Sequence, residues 1–448
     1  MDAKKYFGTD GIRGLANQFP MTAEVALQIG IATGLFISKD KTAKRVIIAK
    51  DTRLSGYMLE SSLTSGLTSV GLDVFLLGPM PTPAVSMLIK SMRADLGIMI
   101  SASHNTYEYN GIKIFGPDGY KLDDRDELEI EDILGSIGSY DLSSRIVGKA
   151  KRIDDAQARY IEYVKGTLDR DINFDGIKVV IDSAHGAAYK VAPLALWELG
   201  AKVISIGDSP NGKNINHEYG STSLNNLRNV VSKHKADIGI ALDGDADRII
   251  VIDETGAIVD GDALLAIIAT EWKKLGKLNK DSVVATILSN IGLDNYFSQE
   301  DMKLYRTNVG DRYVSQFMKE NGYNIGGEQS GHIIIGDYST TGDGLLAAIQ
   351  ILSIMKKSNK KISALARLIK IVPQIQRNYK ISNYDKINTD DINEIHKIGQ
   401  ERIKEKGRIL VRLSGTEPLI RVMGESQDKK YLNQTLDYLM DLIAKRFN

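Results

Sequence analysis

Short runs of β-branched and aliphatic residues recur along the chain. Each is closed by a polar or glycine-containing turn and followed by a longer amphipathic stretch. Arg45-Val-Ile-Ile-Ala49, Lys178-Val-Val-Ile181 and Ser282-Val-Val-Ala-Thr-Ile-Leu288 are apolar runs of strand length, the signature of parallel strands buried on both faces. They lead into Lys50-Asp-Thr-Arg-Leu-Ser-Gly56, Asp182-Ser-Ala-His-Gly186 and Ser289-Asn-Ile-Gly292. Helical periodicity then takes over, as from Tyr57 to Val70.

A second strand-and-loop passage follows each of these. Ala94-Asp-Leu-Gly-Ile-Met-Ile100 runs into Ser101-Ala-Ser-His-Asn105, Ala236-Asp-Ile-Gly-Ile-Ala-Leu242 into Asp243-Gly-Asp, and Tyr323-Asn-Ile-Gly326 into Gly327-Glu-Gln-Ser. The near-identity of Ala-Asp-Leu-Gly-Ile and Ala-Asp-Ile-Gly-Ile predicts a diverged internal repeat of three α/β units. Beyond about Lys360 the texture changes. Asn378 to Glu405 is polar and charged, Arg408-Ile-Leu-Val-Arg412 reads as a strand, and Lys429 to Phe447 as an amphipathic helix. The expected fold is α/β: three similar mixed α/β domains plus a smaller C-terminal α+β domain around a central cleft. The expected domains are 1–150, 151–255, 256–370 and 371–448.

At 448 residues the chain exceeds what one hydrophobic core normally serves. Lys+Arg and Asp+Glu both number 57, so the basic excess of a nucleic-acid or anionic-membrane binder is missing. The absence of cysteine excludes disulfides and thiolate metal sites. The N-terminus lacks a signal-length apolar core, and no stretch approaches the roughly 18 apolar residues of a membrane span. These features lead us to expect a cytoplasmic protein with neither nucleic acid nor membrane as partner. They leave the oligomeric state open, a homodimer included.

Four segments carry chemistry suited to a phosphorylated sugar. Ser103 lies in a loop after a buried strand, where open α/β sheets place reactive groups. A serine hydroxyl needs a base, a metal or prior activation. His104 is its sequence neighbour, and adjacent side chains seldom form a triad, so Ser103 reads as a phosphoryl carrier held on a metal. Asp243, Asp245 and Asp247 alternate in Asp243-Gly-Asp-Ala-Asp-Arg248. Three such carboxylates repel unless a cation lies among them, and all-oxygen ligands beside phosphate favour Mg²⁺. With Glu254 they also match EF-hand spacing, but Arg248 stands where that loop needs glycine, and a strand pattern follows it. Arg248 reads instead as a cation orienting an aspartate or a phosphate.

Glu328 and Ser330, in the glycine-rich turn Gly326-Gly-Glu-Gln-Ser-Gly331, suit vicinal sugar hydroxyls, and His332 follows them as a proton-transfer candidate. Arg412-Leu-Ser-Gly-Thr-Glu-Pro418 gathers Arg412, Ser414, Gly415 and Thr416, with Arg421 close behind. It reads as a phosphate nest. Arg13, in Phe7-Gly-Thr-Asp-Gly-Ile-Arg-Gly14, and Lys113, in Asn110-Gly-Ile-Lys113, offer charge to a transferring phosphoryl group.

With these motifs in this order, from Gly8 to Arg421, the chain resembles the α-D-phosphohexomutase superfamily over essentially its whole length. Thr307-Asn-Val-Gly-Asp-Arg-Tyr-Val314 and Gln329 in Gly327-Glu-Gln-Ser-Gly-His332 make it most similar to the members acting on glucosamine phosphates. The resemblance implies Ser103 as the phosphorylated serine and Asp243, Asp245 and Asp247 as Mg²⁺ ligands together with it. It implies Arg13, Lys113 and His332 in transfer or proton movement, and Glu328 and Ser330 on the sugar. Arg412, Ser414, Gly415, Thr416 and Arg421 would then hold the non-reacting phosphate.

The implied activity interconverts glucosamine 6-phosphate and glucosamine 1-phosphate through a 1,6-bisphosphate. A hexose 1,6-bisphosphate would be the activator, and the product would feed UDP-N-acetylglucosamine synthesis. A sibling hexose mutase, a metal-dependent sugar phosphatase and a non-catalytic sugar-phosphate sensor remain the alternatives. Two departures from the family pattern are Thr106, where proline usually follows Ser-His-Asn, and Ala246, where glycine is common.

Overall fold

A computed structural model describes residues 5–8, 10–39, 45–143, 145–381, 387–413 and 419–447. The chain divides into two compact units. The larger contains residues 1–288 and 304–368, and the smaller contains residues 289–303 and 369–448.

The expected threefold repeat is present, and it has a fixed topology. The first sheet contains, in spatial order, Asp73–Pro79, Arg45–Lys50, Leu96–Ile100 and Tyr109–Phe115. The second contains Lys202–Ile206, Lys178–Asp182, Ile238–Leu242 and Ile249–Asp253, and the third Lys303–Thr307, Ser282–Thr286, Ile325–Gly327 and Ile333–Ile335. Numbered along the chain, each set runs second, first, third, fourth. In every set the first strand is parallel to the third and the third antiparallel to the fourth. Short edge strands extend the first sheet to seven strands and the second to five.

The apolar runs explain this arrangement. Strands such as Ile238–Leu242 and Ser282–Thr286 are buried at every position, because helices pack on both faces of these sheets and no face is left for polar residues. The three chemical loops read from the sequence occupy one equivalent place. Each joins the third strand of its repeat to the antiparallel fourth. The fold therefore presents Ser101–Asn105, Asp243–Arg248 and Glu328–His332 in the same local setting.

A helix buried almost throughout, Gly344–Ser358, follows the third repeat. Its N-cap, Asp343, accepts hydrogen bonds from the backbone N–H of Leu346 and the hydroxyl of Tyr160, each at 2.9 Å. The smaller unit has a three-stranded antiparallel sheet in the order Gln374–Lys380, Leu419–Ser426, Gly407–Leu413. The helices Thr389–Ile403 and Lys429–Phe447 pack on it around Ile395, Ile409, Val422, Leu436 and Leu439. No described helix is long and apolar enough to cross a membrane.

Asp343 yields a pH prediction. Burial raises its carboxyl to about 6, despite hydrogen bonds from Leu346 and Tyr160 that oppose the shift. An acid with a raised folded-state pKa binds more protons folded than unfolded. Its contribution to stability is therefore lost as pH rises from about 4 through 6. Asparagine keeps the Oδ1 acceptor and has no charge to bury. Asp343→Asn should gain stability relative to wild type over that range, about 3 kcal/mol, and level off above it. Urea denaturation at several pH values measures this, and a pH-independent difference would refute it.

Candidate active site

The loop carrying Ser103 is held from below by buried charge. Ser103 is buried and has the left-handed φ of 51°, a conformation costly for a residue with a Cβ unless its surroundings enforce it. They do. The Ser101 hydroxyl donates to Asp51 Oδ2 at 2.6 Å and accepts from the Ser103 N–H at 2.9 Å. The fully buried Arg53 guanidinium pairs with Asp51 at 2.8 Å and donates to the carbonyls of Ser103 (3.0 Å), Asn105 (2.9 Å) and Thr106. Asn216 Nδ2 donates to the Ser103 and Asn105 carbonyls, at 2.8 Å each. Thr106, lacking the ring of a proline, is fixed by this contact with Arg53.

The Ser103 Oγ then donates to Asp243 Oδ2 at 2.6 Å, and His104 Nδ1 lies 3.5 Å from the same Oγ. Gly244 makes the approach of the two loops possible, since a Cβ there would sit 2.6 Å from the Ser103 carbonyl oxygen. Ala246 has φ 58°, in the left-handed region that glycine adopts freely and that costs other residues about 1 kcal/mol or more.

Asp243, Asp245 and Asp247 are fully buried, and one carboxylate oxygen from each lies within 4.8 Å of the others. Thr82 Oγ1 donates to Asp245 Oδ2 at 2.6 Å, and Lys113 Nζ pairs with Asp245 at 2.7 Å and Asp247 at 3.0 Å. This leaves Asp245 Oδ1 and Asp247 Oδ1 buried without a hydrogen-bond partner. Burial, together with repulsion from Asp247 and Asp245, pushes the Asp243 carboxyl up to about 8. The cluster is therefore short of positive charge. A hard divalent cation fits that deficit and the all-oxygen donor set. Among the described residues, this is the group of acidic and histidine side chains placed to hold one.

Cations surround the cluster. Lys113 is buried, and although burial opposes its charge, Asp10, Asp245 and Asp247 raise its pKa well above the usual lysine value. His332 Nε2 lies 3.2 Å from Asp247 and 3.5 Å from Asp311, with Nδ1 3.5 Å from Glu328. Burial disfavours the imidazolium, yet Asp247 and Asp311 prevail and move it up to about 10. Gly342 packs against this ring, where a Cβ would approach to 2.3 Å. Arg13 pairs with Asp10. Arg248 donates its backbone N–H to Asp243 Oδ1 at 3.2 Å, and its Nε lies 4.0 Å from Asp247. His104 is driven the other way, to about 4, by burial and by the nearby Arg248 and Arg13.

Glu328 accepts the Gly310 N–H at 3.0 Å, and its own N–H donates to the His332 carbonyl at 3.0 Å. Ser330 is exposed at the tip of the turn. Gln329 turns away, its Nε2 donating to Asp260 Oδ2 at 3.3 Å and its carbonyl accepting from Gly261. In the smaller unit, Arg412 and Arg421 face each other across paired strands. Burial, together with the charge of Arg421, lowers the Arg412 pKa. Like charges in register are unfavourable unless an anion balances them. Ser414, Gly415 and Thr416 lie outside the described residues.

The larger unit thus brings Ser103, Arg13, Lys113, Asp243, Asp245, Asp247, Arg248, Glu328 and His332 into one connected network. It also recruits Asp10, Asp51, Arg53, Thr82, Lys121, Asn216 and Asp311, which sequence reasoning did not single out. Asp51 and Arg53 carried a signal: charged residues directly after a buried strand, at the equivalent end of the first repeat. His104 was set aside for its adjacency to Ser103. The left-handed backbone at Ser103 is the local feature that accompanies their approach.

Sequence models for four domains of the phosphoglucomutase/phosphomannomutase family match most of this chain. The alpha/beta/alpha domains I, II and III match residues 4–141, 158–256 and 260–371, and the C-terminal domain matches residues 357–442. Fold and site define a phosphohexomutase, and the chain belongs to this family. It is 56% identical over 430 residues to a phosphoglucosamine mutase of Caulobacter vibrioides, covering 96% of each chain. Its fold matches a phosphoglucomutase/phosphomannomutase family protein of Burkholderia thailandensis, with TM-score 0.84, 23% identity and coverage of 100% and 99%. It also matches an N-acetylphosphoglucosamine mutase of Aspergillus fumigatus solved with GlcNAc-6P and magnesium, with TM-score 0.67, 16% identity and coverage of 99% and 96%.

If Arg53 holds the serine loop, Arg53→Met should remove one donor from each of the Ser103, Asn105 and Thr106 carbonyls and leave Asp51 without its counter-ion. We expect a loss of about 3 kcal/mol and at least tenfold faster amide exchange at residues 102–106, with exchange in the strand Arg45–Lys50 changed less. Hydrogen exchange followed by mass spectrometry reads both segments. Unaltered exchange in the loop would remove Arg53 from this role.

Proposed function

We propose that this protein interconverts glucosamine 6-phosphate and glucosamine 1-phosphate, with Ser103 as phosphoryl carrier. The observation that carries the reading is the contact of Ser103 Oγ with the buried triad, 2.6 Å from Asp243, in a chain similar throughout to phosphoglucosamine mutases. In the first transfer a sugar hydroxyl oxygen bonds to phosphorus as the bond from Ser103 Oγ to phosphorus breaks, and the proton lost by the hydroxyl is balanced by the one the freed Ser103 oxygen gains. The resulting 1,6-bisphosphate turns over, the other phosphate returns to Ser103, and a proton is restored to the sugar oxygen. Atoms balance with no further reactant. A hexose 1,6-bisphosphate primes the enzyme by phosphorylating Ser103.

Asp243, Asp245 and Asp247 would hold Mg²⁺, which when bound supplies Lewis-acid stabilisation of phosphoryl oxygens. Arg13, Lys113 and Arg248 set positive charge about the transferring group in a buried site, where such charge counts most. His104 Nδ1, beside Ser103 Oγ, is the proton partner of that oxygen, and His332, held as the imidazolium, is placed to donate to the sugar oxygen freed in the second transfer. Glu328 and Ser330 hold sugar hydroxyls. Arg412 and Arg421, with Ser414, Gly415 and Thr416, grip the phosphate that does not react, which accounts for two guanidinium groups placed opposite each other.

Time-resolved ³¹P NMR with Mg²⁺, a trace of hexose 1,6-bisphosphate and one of three substrates tests the reading. The 1-phosphate should form fastest from glucosamine 6-phosphate, ahead of mannose 6-phosphate and glucose 6-phosphate. Ser103→Ala should lower the rate by at least about 10³-fold with unchanged thermal melting. Faster conversion of mannose or glucose would reassign the substrate. Release of inorganic phosphate alone would make the protein a phosphatase.

A further inference from the structure

Six charged side chains in the larger unit close into a ring of alternating sign. Asp10 pairs with Lys121, and Lys121 with Asp311 at 2.7 Å. Asp311 lies 3.5 Å from His332, and His332 lies 3.2 Å from Asp247. Asp247 pairs with Lys113 at 3.0 Å, and Lys113 returns to Asp10 at 3.6 Å. Three carboxylates thus alternate with two ammonium groups and an imidazole. Arg13 joins from outside through Asp10.

Half of this ring has a role in the function proposed above. Lys121 does not, and neither does Asp311. The turn after the strand Tyr109–Phe115 brings Lys121 back into an antiparallel bridge with Phe115, and its ammonium reaches both carboxylates. We propose that Lys121 is a positioning residue. Through Asp311 it fixes His332, and through Asp10 it fixes Arg13, so that both are aligned for phosphoryl transfer. The inference rests on the mutase reading and adds residues to it.

A purely structural staple is the competing explanation, and the surroundings argue against it. The first and third repeats are already joined by Arg312 to Asp124 (2.7 Å) and Glu127 (3.0 Å), by Lys319 to Asp118 (2.6 Å), and by Thr340 Oγ1 to the Gly119 carbonyl (2.5 Å). Their association does not hang on Lys121. Lys121 bridges Asp10 and Asp311 directly and so sets their places beside Arg13 and His332. A displacement of about 1 Å in a group acting on the transition state costs on the order of 100-fold in rate.

The test compares wild type, Lys121→Met, Lys121→Arg and the double variant Lys121→Met/Asp311→Asn. Each is assayed for kcat and KM on glucosamine 6-phosphate and for thermal midpoint. Lys121→Met leaves Asp10 and Asp311 without the ammonium they share, whereas the double variant also removes the charge of Asp311. We expect Lys121→Met to lower kcat at least tenfold with KM within threefold, and to lower the midpoint. The double variant should recover the midpoint and keep the low kcat, and Lys121→Arg should recover most of the kcat.

Wild-type kcat in Lys121→Met would overturn the proposal. So would recovery of kcat together with the midpoint in the double variant, since a staple predicts that both return. If Lys121→Met does not fold, the double variant carries the same comparison. Absence of turnover in the wild type would instead sink the functional reading itself.

Discussion

Three carboxylates buried within 4.8 Å of one another are the constraint on which the rest of this structure depends. Carboxylates removed from water cannot all remain charged unless cations reach them, and each unmatched charge costs several kcal/mol. The observed neighbours answer that demand only in part. Lys113 takes two of the three and His332 approaches one, while Asp243 is pushed towards its protonated form. The buried lysine, the raised imidazole and the short hydrogen bond from Ser103 are consequences of one charge deficit. A divalent cation resolves that deficit.

The repeat explains how one chain assembles such a place. Each α/β unit ends its third strand in a short loop that turns into an antiparallel fourth strand. Ser103, the aspartate triad and Glu328 with His332 occupy that same position in successive units. The first βα turn of the first repeat then adds Asp51 and Arg53, which clamp the serine loop from beneath. A serine held at φ 51° stores strain, and the buried guanidinium, with four acceptors around it, offsets it. Positioning costs are thus met by the scaffold at the site and not by the substrate.

Much of this was legible in the sequence. The continuous apolar runs predicted buried parallel strands, the duplicated Ala-Asp-x-Gly-Ile predicted a repeat, and the helix Lys429–Phe447 matches its periodicity residue for residue. The chemical loops were visible because their residue types are improbable outside phosphate chemistry. What could not be read is the counter-charge. Asp10, Lys121 and Asp311 are 111 and 190 residues apart along the chain, and each is an ordinary surface type when seen alone. Pairing over such separations is decided by how the repeats pack, which no local pattern encodes. Arg53 was hidden for another reason: its role is to donate to backbone carbonyls, which leave no trace in side-chain motifs. Gln329 shows the converse, since the residue that by motif grouped this chain with the members acting on glucosamine phosphates faces Asp260 at a helix start.

The central claim is that the triad exists to hold a cation beside Ser103. Diffraction from crystals soaked in Mn²⁺, collected at a wavelength where manganese scatters anomalously, tests it without relying on turnover. The account predicts one strong anomalous peak within coordination distance, about 2.2 Å, of oxygens from Asp243, Asp245 and Asp247, and its loss in Asp245→Ala crystals. A triad without a peak at saturating Mn²⁺, its carboxylates neutralised by Lys113 and His332 alone, would contradict it.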